Sequence, residues 1–195
     1  MQQSSHGSAA TEGRGGPGPA ARRGRPGRPV DPAAVARRLG AVVQWPGALD
    51  VPERAWRLVA QTPDFDAWLI AWPGGGTVDL HDHGGSQGAL HVITGSLVET
   101  TPWRDDAGRM TFARRELHAG VTLAFGAGHV HDVRNESSPY ALSLHVYSPS
   151  LTSMTYYDCF EGRLLPRQDQ WGSRHDDEPG RVVRDDRRGL RLVAP

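Results

Sequence analysis

The sequence predicts an all-β domain, an antiparallel sandwich or barrel, with one short helix before it. Short apolar segments separated by turn residues recur from residue 51 to about 160, for example AWLIAW (67–72) and GALHVITGSLVET (88–100). No helical periodicity interrupts them, and 195 residues with 37% hydrophobic side chains suffice for one ordinary core. Strands at this spacing are typical of sandwiches and barrels.

The predicted helix lies in the segment DPAAVARRLG, just before the first strand. Asp31 can cap the helix, Pro32 suits its first turn, and Gly40 can end it. Val35 and Leu39 share one face.

The two ends of the chain differ from this patterned region. Residues 1–30 hold seven glycines, four prolines and five arginines with no aromatic side chain, which predicts a disordered tail. After Tyr157 the chain becomes polar and charged, so we expect an irregular C-terminal extension, with residues 166–195 outside the domain. Residues 31–165 are therefore assigned to a single domain.

Composition excludes several classes of function. The net charge is zero and the patterned region holds no run of arginines, which argues against nucleic-acid binding. Cys159 is the only cysteine, so the chain can form neither an internal disulfide nor a zinc ribbon. No apolar run approaches the roughly 20 residues of a membrane span, and the N-terminus lacks the apolar segment of a signal peptide. We expect a cytoplasmic monomer.

Histidines supply the clearest sign of chemistry. His81 and His83 are one residue apart, so in a strand both rings point to one side and can bind a common metal. The segment HVHDVRN follows, in which His129 or His131 can supply a third ligand. Because histidines in strands also fill half-buried surface, the pair alone does not decide between packing and metal binding.

A row of polar side chains lies in the segment YALSLHVYS. Ser143, His145 and Tyr147 alternate with three aliphatic residues and so line one face of a strand. Such a row is unusual in a strand interior unless it faces a cavity. Hydroxyl, imidazole and phenol at adjacent steps can form a hydrogen-bonded chain whose end, Tyr147, donates to a ligand of the metal. The alternative is that the groups only satisfy one another in a filled barrel.

These motifs resemble those of the cupin superfamily, whose fold is a jelly-roll barrel, also called a double-stranded β-helix. Four residues match its first motif: Gly75, His81, His83 and Gly95. His131 and Asn135 match the end of its second motif, whereas His129 does not. The resemblance therefore implies that His81, His83 and His131 are the metal ligands.

One position departs from that pattern, because Gly88 stands where the first motif has glutamate. A divalent ion held by three neutral imidazoles keeps its full charge for anionic substrate groups such as a thiolate. With this departure, HDHGGSQGALHVITGSLVET and SLHVYSPS resemble the cysteine dioxygenase family over residues 50 to 160. The glycine form, typical of bacterial members, implies no thioether crosslink to the active-site tyrosine.

The family resemblance also implies an arginine that binds the substrate carboxylate, in the segment ERAWRLVAQ. Arg57 is the best match, and a guanidinium can hold a carboxylate with two parallel hydrogen bonds. Arg54 lies three residues earlier, faces the opposite side of a strand, and is the alternative if the following loop differs in length.

The resulting hypothesis is a non-haem Fe(II) thiol dioxygenase that converts L-cysteine and O2 to cysteine sulfinate. Arg57 holds the carboxylate, Tyr147 donates a hydrogen bond near the metal, and His145 with Ser143 fixes the phenol. One alternative is a dioxygenase for 3-mercaptopropionate or another small thiol. The resemblance implies that relatives of that type lack an arginine at the Arg57 position and use one elsewhere, so Arg57 favours cysteine. Others are a metal-binding cupin that senses or stores a ligand without chemistry, and an isomerase or hydrolase using zinc or manganese.

Overall fold

The computed structural model describes residues 30–167. The predicted disordered tail, except for its last residue, and the C-terminal extension beyond Arg167 lie outside the described residues. No helix in residues 30–167 is long and apolar enough to cross a membrane. The cytoplasmic location and the monomeric state stay predictions.

The helix α1 spans Pro32–Gly40, as predicted. The Asp31 carboxylate accepts hydrogen bonds from the backbone N–H groups of Ala33 and Ala34 at 3.0 and 3.2 Å, which satisfies donors that the first turn leaves unpaired. Leu39 and the following Val43 are buried against the sheet that the helix covers.

Between residues 30 and 167 the chain forms eleven strands. They are β1 (Ala55–Gln61), β2 (Asp66–Pro73), β3 (Thr77–His81), β4 (Gln87–Thr94), β5 (Ser96–Arg104), β6 (Met110–His118), β7 (Thr122–Phe125), β8 (His131–Arg134), β9 (Tyr140–Ser148), β10 (Tyr157–Phe160) and β11 (Arg163–Pro166). One sheet has the order β1-β2-β9-β4-β7 and a second has the order β3-β8-β5-β6. Every pairing in these sheets is antiparallel. Apart from β1-β2 and β5-β6, the neighbouring strands are not consecutive in the sequence.

The alternation of side chains divides the first sheet into two faces. The outer face packs against α1 and includes Leu69, Leu144 and Val146. The inner face includes Ile70 and Trp72 and shares a second core with the other sheet. The prediction of an all-β cupin barrel with a short N-terminal helix is confirmed.

The expectation of irregular structure directly after Tyr157 is wrong for residues 157–166, because β10 and β11 form a hairpin there. Glu161 and Gly162 make its two-residue turn with φ values of 48° and 70°, the positive values that tight hairpins require. Four-residue strands with mostly exposed side chains leave too short an alternation to detect in a sequence. The hairpin lies beside β3, through a bridge between Tyr156 and His81.

Candidate metal centre

Three histidine side chains converge inside the barrel, where β3 ends and β8 begins. His81 ends β3, His83 lies two residues beyond it, and His131 is the first residue of β8. His81 and His131 are cross-strand partners, so the antiparallel register brings their side chains together. The three ring centroids lie 4.8 to 5.1 Å apart, and one nitrogen of each ring lies within 4.8 Å of the others. One metal ion can contact all three.

Two of these rings are oriented by hydrogen bonds on the side away from the cluster. His81 Nδ1 donates to the carbonyl oxygen of Asp79 at 2.7 Å, and His131 Nδ1 donates to Glu99 Oε1 at 2.8 Å. Because Nδ1 carries the hydrogen in both rings, Nε2 keeps the lone pair that a metal needs.

His83 provides the test of whether the site fits a metal. Its side chain is fully buried and stacks on Phe125 with the ring centroids 4.7 Å apart. Within residues 30–167, neither of its ring nitrogens has a hydrogen-bond partner. A buried polar atom left unsatisfied costs about 1–3 kcal/mol, and a metal ion shared with the other two rings removes that cost for one of the two nitrogens. The residues present therefore fit a metal ion.

Burial keeps the three imidazoles neutral near pH 7. It lowers the pKa of His81 to about 3 and also lowers the pKa values of His83 and His131, because a charged ring is costly away from water. Neutral imidazole nitrogen is a ligand for zinc, copper, iron and nickel, rather than for magnesium or calcium. The donor set indicates a transition metal.

The space beside Gly88 is filled by an aromatic ring. A Cβ atom at this position would lie 2.7 Å from both the Phe125 ring and the backbone oxygen of Val146, so no side chain fits unless they move. Phe125 thus occupies the room that a carboxylate ligand would need. Gly88 is also the cross-strand partner of Tyr147 and offers no sulfur to bond to it.

The polar row of β9 forms a chain of hydrogen bonds that begins at a tryptophan. Trp72 Nε1 donates to Ser143 Oγ at 2.9 Å, Ser143 Oγ lies 2.9 Å from His145 Nε2, and His145 Nδ1 lies 3.3 Å from the Tyr147 hydroxyl. All four residues are buried. The sequence pattern did not indicate that Trp72 belongs to this series of hydrogen bonds.

The direction of these hydrogen bonds follows from the tryptophan, which can only donate. Ser143 accepts from it, and His145 Nε2 is its other hydrogen-bond partner. Donation from Ser143 to Nε2 is the arrangement that leaves no buried serine hydrogen without an acceptor, and we assign the bond in this direction. Burial lowers the pKa of His145 well below its usual value, so the ring is neutral and its single hydrogen is on Nδ1. The Tyr147 oxygen accepts that hydrogen, which leaves the phenol hydrogen free to point elsewhere. Burial also raises the pKa of Tyr147, so the phenol stays protonated.

Arg54 lines the same cavity as His81 and Tyr147. Its guanidinium carbon lies 5.2 Å from the ring centroid of Trp56 and 5.5 Å from that of Trp72, within the range of cation–π contacts. Burial lowers the pKa of Arg54, yet a guanidinium remains charged in proteins. In the described part of the chain no carboxylate forms an ion pair with Arg54. Among residues 30–167, the cavity therefore holds a positive charge without an anionic partner.

Arg57, which the sequence analysis favoured as the anchor, does not line this cavity. It lies on β1 directly opposite Leu69, and directly opposed residues share a face of the sheet. Leu69 belongs to the outer face, which α1 covers, whereas the neighbouring pair of Trp56 and Ile70 belongs to the inner face. The structure places the alternative, Arg54, on the cavity side.

The segment between β9 and β10 closes one side of the cavity. Asp82, between the two histidines of the HxH pair, holds this segment by accepting hydrogen bonds from the Thr155 N–H at 3.2 Å and the Tyr157 hydroxyl at 2.6 Å. Asp66 Oδ2 holds its other end by accepting from the Leu151 N–H at 3.1 Å. Three of its side chains line the cavity: Leu151, Met154 and Tyr156.

A buried carboxylate behind His131 was not anticipated from the sequence. Glu99 on β5 is 1% exposed and receives hydrogen bonds from three side chains: His129, His131 and Arg115. Burial by itself would raise the pKa of Glu99, but these hydrogen bonds lower it far below its usual range. Glu99 is therefore ionised.

A family model described as "Cysteine dioxygenase type I" matches residues 43–159, which is more than half of the chain. The chain belongs to the cysteine dioxygenase type I family. The resemblance inferred from the sequence is confirmed. The match and the histidine cluster support a metal-dependent dioxygenase of the cupin type.

Several solved structures are also similar to this cysteine dioxygenase family member. An oxalate oxidase in complex with glycolate is 19% identical, with 56% of this chain and 58% of that chain covered and a TM-score of 0.47. KdgF from Halomonas sp. is 22% identical, with 55% and 86% covered and a TM-score of 0.43. An RmlC-like cupin protein from Desulfovibrio desulfuricans is 17% identical, with 56% and 94% covered and a TM-score of 0.44.

Proposed function

We propose that this protein is a non-haem Fe(II) thiol dioxygenase that oxidises L-cysteine to cysteine sulfinate with O2. The observation that carries the proposal is one cavity that is lined both by His81, a member of the cluster of three neutral histidines, and by Arg54. The guanidinium of Arg54 is partly buried and forms no ion pair within the described residues. The histidine cluster can hold a divalent cation and Arg54 an organic anion. A small molecule with a thiol at one end and a carboxylate at the other matches both.

His81, His83 and His131 would hold the iron through one nitrogen each. Iron(II) supplies a redox-active centre at which a thiol and O2 react, which zinc does not, since zinc has no redox chemistry. Gly88 and Phe125 leave no carboxylate among the ligands, so the positive charge of the ion remains available to a thiolate.

Arg54 would bind the substrate carboxylate. Its contacts with Trp56 and Trp72 limit the orientations of the guanidinium, and the absence of a carboxylate partner in the described residues leaves its donors available. Two parallel hydrogen bonds from this arginine fix the far end of the substrate, and its sulfur is then directed to the histidine cluster.

Tyr147 would donate a hydrogen bond to the reacting groups. Its hydroxyl accepts from His145, so its hydrogen points away from the chain that begins at Trp72. Its ring centroid lies 5.1 Å from that of His83, which places the phenol next to the histidine cluster. The role of His145 and Ser143 is to hold this donor direction.

The overall reaction is balanced without a further reductant. One thiol and one O2 give one sulfinic acid, in which both oxygen atoms are bonded to sulfur. The sulfur is oxidised by four electrons and the O2 is reduced by four. The protein needs only to position the two reactants and to exclude bulk water, which the apolar lining of Trp56, Ile70 and Leu151 supports.

A second candidate substrate is 3-mercaptopropionate, which is cysteine without its amine. No aspartate or glutamate lines the cavity within the described residues, so the chain shows no carboxylate that would recognise the amine. The histidine cluster and Arg54 suit the thiolate and the carboxylate of both compounds, but only cysteine has an amine that can serve as a further ligand to the metal, so cysteine is the first candidate.

A thiol panel tests the proposal. Full-length protein is loaded with Fe(II) without air and offered cysteine, cysteamine and 3-mercaptopropionate separately, while O2 uptake and sulfinate are measured. We expect the highest kcat/KM with cysteine, one O2 consumed per sulfinate, and the poorest reaction with cysteamine, which lacks the carboxylate. Faster reaction with 3-mercaptopropionate would favour the second candidate. No O2 uptake with any thiol would indicate a metal-binding cupin without this chemistry.

A further inference from the structure

A carboxylate lies one hydrogen bond behind the histidine cluster, on the side away from the cavity. Glu99 Oε1 lies 2.8 Å from His131 Nδ1 and also 2.8 Å from His129 Nε2. Its other oxygen, Oε2, lies 2.7 Å from a guanidinium nitrogen of Arg115. The side chains of Glu99 and His131 are each 1% exposed, so little solvent weakens their interaction.

Strand register accounts for this arrangement. On β5, Glu99 lies directly opposite Val133 of β8, so it shares a face with Val133 and with His131 two residues before it. On its other side β5 pairs with β6, where Arg115 is the direct partner of Glu99. The carboxylate is thus held between an imidazole inside the barrel and a guanidinium that is 54% exposed.

We propose that Glu99 is a positioning residue for the metal, which fixes His131 in the metal-binding orientation and supplies the negative charge that the three ligands lack. This inference rests on the metal site of the proposed function. The residues that bind the metal directly cannot include a carboxylate at position 88, because Phe125 fills that space. Glu99 brings a carboxylate to the same ion from behind His131 instead.

The effect on the ion has a definite sign. A hydrogen bond from His131 Nδ1 to a carboxylate makes Nε2 a stronger donor, and the nearby negative charge stabilises Fe(III) more than Fe(II). The cation of Arg115 on the other oxygen partly cancels that charge. Removing the charge of Glu99 and removing that of Arg115 must therefore change the Fe(III)/Fe(II) potential in opposite directions.

The experiment uses the full-length protein and no thiol, so its outcome is independent of the thiol panel. Metal-free protein is titrated with Fe(II) against a chelator without air, and the midpoint potential of the iron-loaded protein is measured by redox titration. Glu99→Gln keeps the shape and one acceptor oxygen but loses the charge. We expect its affinity for Fe(II) to fall about tenfold or more and its potential to rise. Arg115→Gln should lower the potential.

Glu136→Gln is the matched control, because Glu136 pairs with the neighbouring Arg114 at the surface and has no contact with the histidine cluster. We expect it to change neither quantity. Wild-type affinity and potential in Glu99→Gln would overturn the proposal. If Glu99→Gln does not fold, Arg115→Gln decides alone, since its site is exposed, and an unchanged or raised potential in it overturns the proposal.

Discussion

The two walls of the cavity have opposite electrostatic character. The metal wall is the cluster of His81, His83 and His131, which meets the cavity at His81. It offers lone pairs, and its rings are held by hydrogen bonds or by aromatic stacking. The substrate wall, formed by Arg54 and Tyr147, offers hydrogens, and the described residues leave those hydrogens without an acceptor inside the cavity. One wall is ready for a cation and the other for an anion.

This difference means that the two walls should fail in different ways. A change on the metal wall removes the ion and with it every later step. A change on the substrate wall leaves the ion in place and alters only how the substrate binds or reacts. Metal content and steady-state kinetics, measured on the same variants, separate the two.

The largest effect is expected from His131→Ala on the metal wall. It removes one of three ligands, and since even an outer partner of a ligand is worth about 10- to 100-fold in metal affinity, loss of the ligand itself should cost more. We expect neither retained iron nor turnover, by metal analysis and O2 uptake. His118→Ala is the control, because His118 is exposed on β6. Full activity in His131→Ala would refute the ligand assignment.

The next effect is expected on the substrate wall, from Arg54→Gln. Losing a charge-assisted hydrogen-bonded pair with the carboxylate should raise KM by roughly 10²-fold, while the iron content stays that of the wild type.

Arg57→Gln serves as the matched control for that variant. If Arg54 is the anchor, this variant should keep the wild-type KM, because its side chain lies on the face of Leu69. A raised KM in Arg57→Gln alone would return the assignment to the residue that the sequence favoured.

A smaller effect is expected from Tyr147→Phe, also on the substrate wall. The variant keeps the ring beside His83 and loses the hydroxyl, that is, both the hydrogen that points away from His145 and the oxygen that accepts from it. We expect kcat to fall roughly tenfold with the iron content unchanged, the cost of one hydrogen bond in the reacting complex. Tyr140→Phe, an exposed site on the same strand, is the control. Loss of iron in Tyr147→Phe would show that the two walls are not separable.

The parts of the site that the sequence predicted depend on alternation within one strand. His81 and His83, or Ser143, His145 and Tyr147, must share a face wherever a strand is regular, and no knowledge of the partner strands is needed. The same local reasoning assigned Arg54 and Arg57 to opposite faces. It did not say which face is the inner one, because that depends on the pairing of β1 with β2.

Contacts between distant strands explain the rest. Glu99 reaches His131 because β5 lies between β6 and β8, an order that the sequence does not reveal. The sequence contains one sign of the role of Glu99: it is a charged residue on the same strand face as the buried Leu97, where alternation predicts an apolar side chain. Trp72 joins the polar row because β2 pairs with β9, which are separated by about 70 residues of chain.

The smallest effect concerns the segment between β9 and β10, which closes one side of the cavity, and this effect depends on pH. Asp66 is 2% exposed, holds the Leu151 N–H, and burial raises its pKa to about 6. A raised carboxyl pKa stabilises the fold most at acidic pH, and this contribution is lost as pH rises from about 4 through 6, when the charge must be buried. Asp66→Asn, which stays neutral, should therefore melt a few degrees above the wild type at pH 7.5 and show no such gain at pH 4, by thermal unfolding.

Asp64→Asn, at an exposed position, should show no difference at either pH. A lower melting temperature for Asp66→Asn at pH 7.5 would mean that the charged carboxylate holds the segment better than a neutral side chain does.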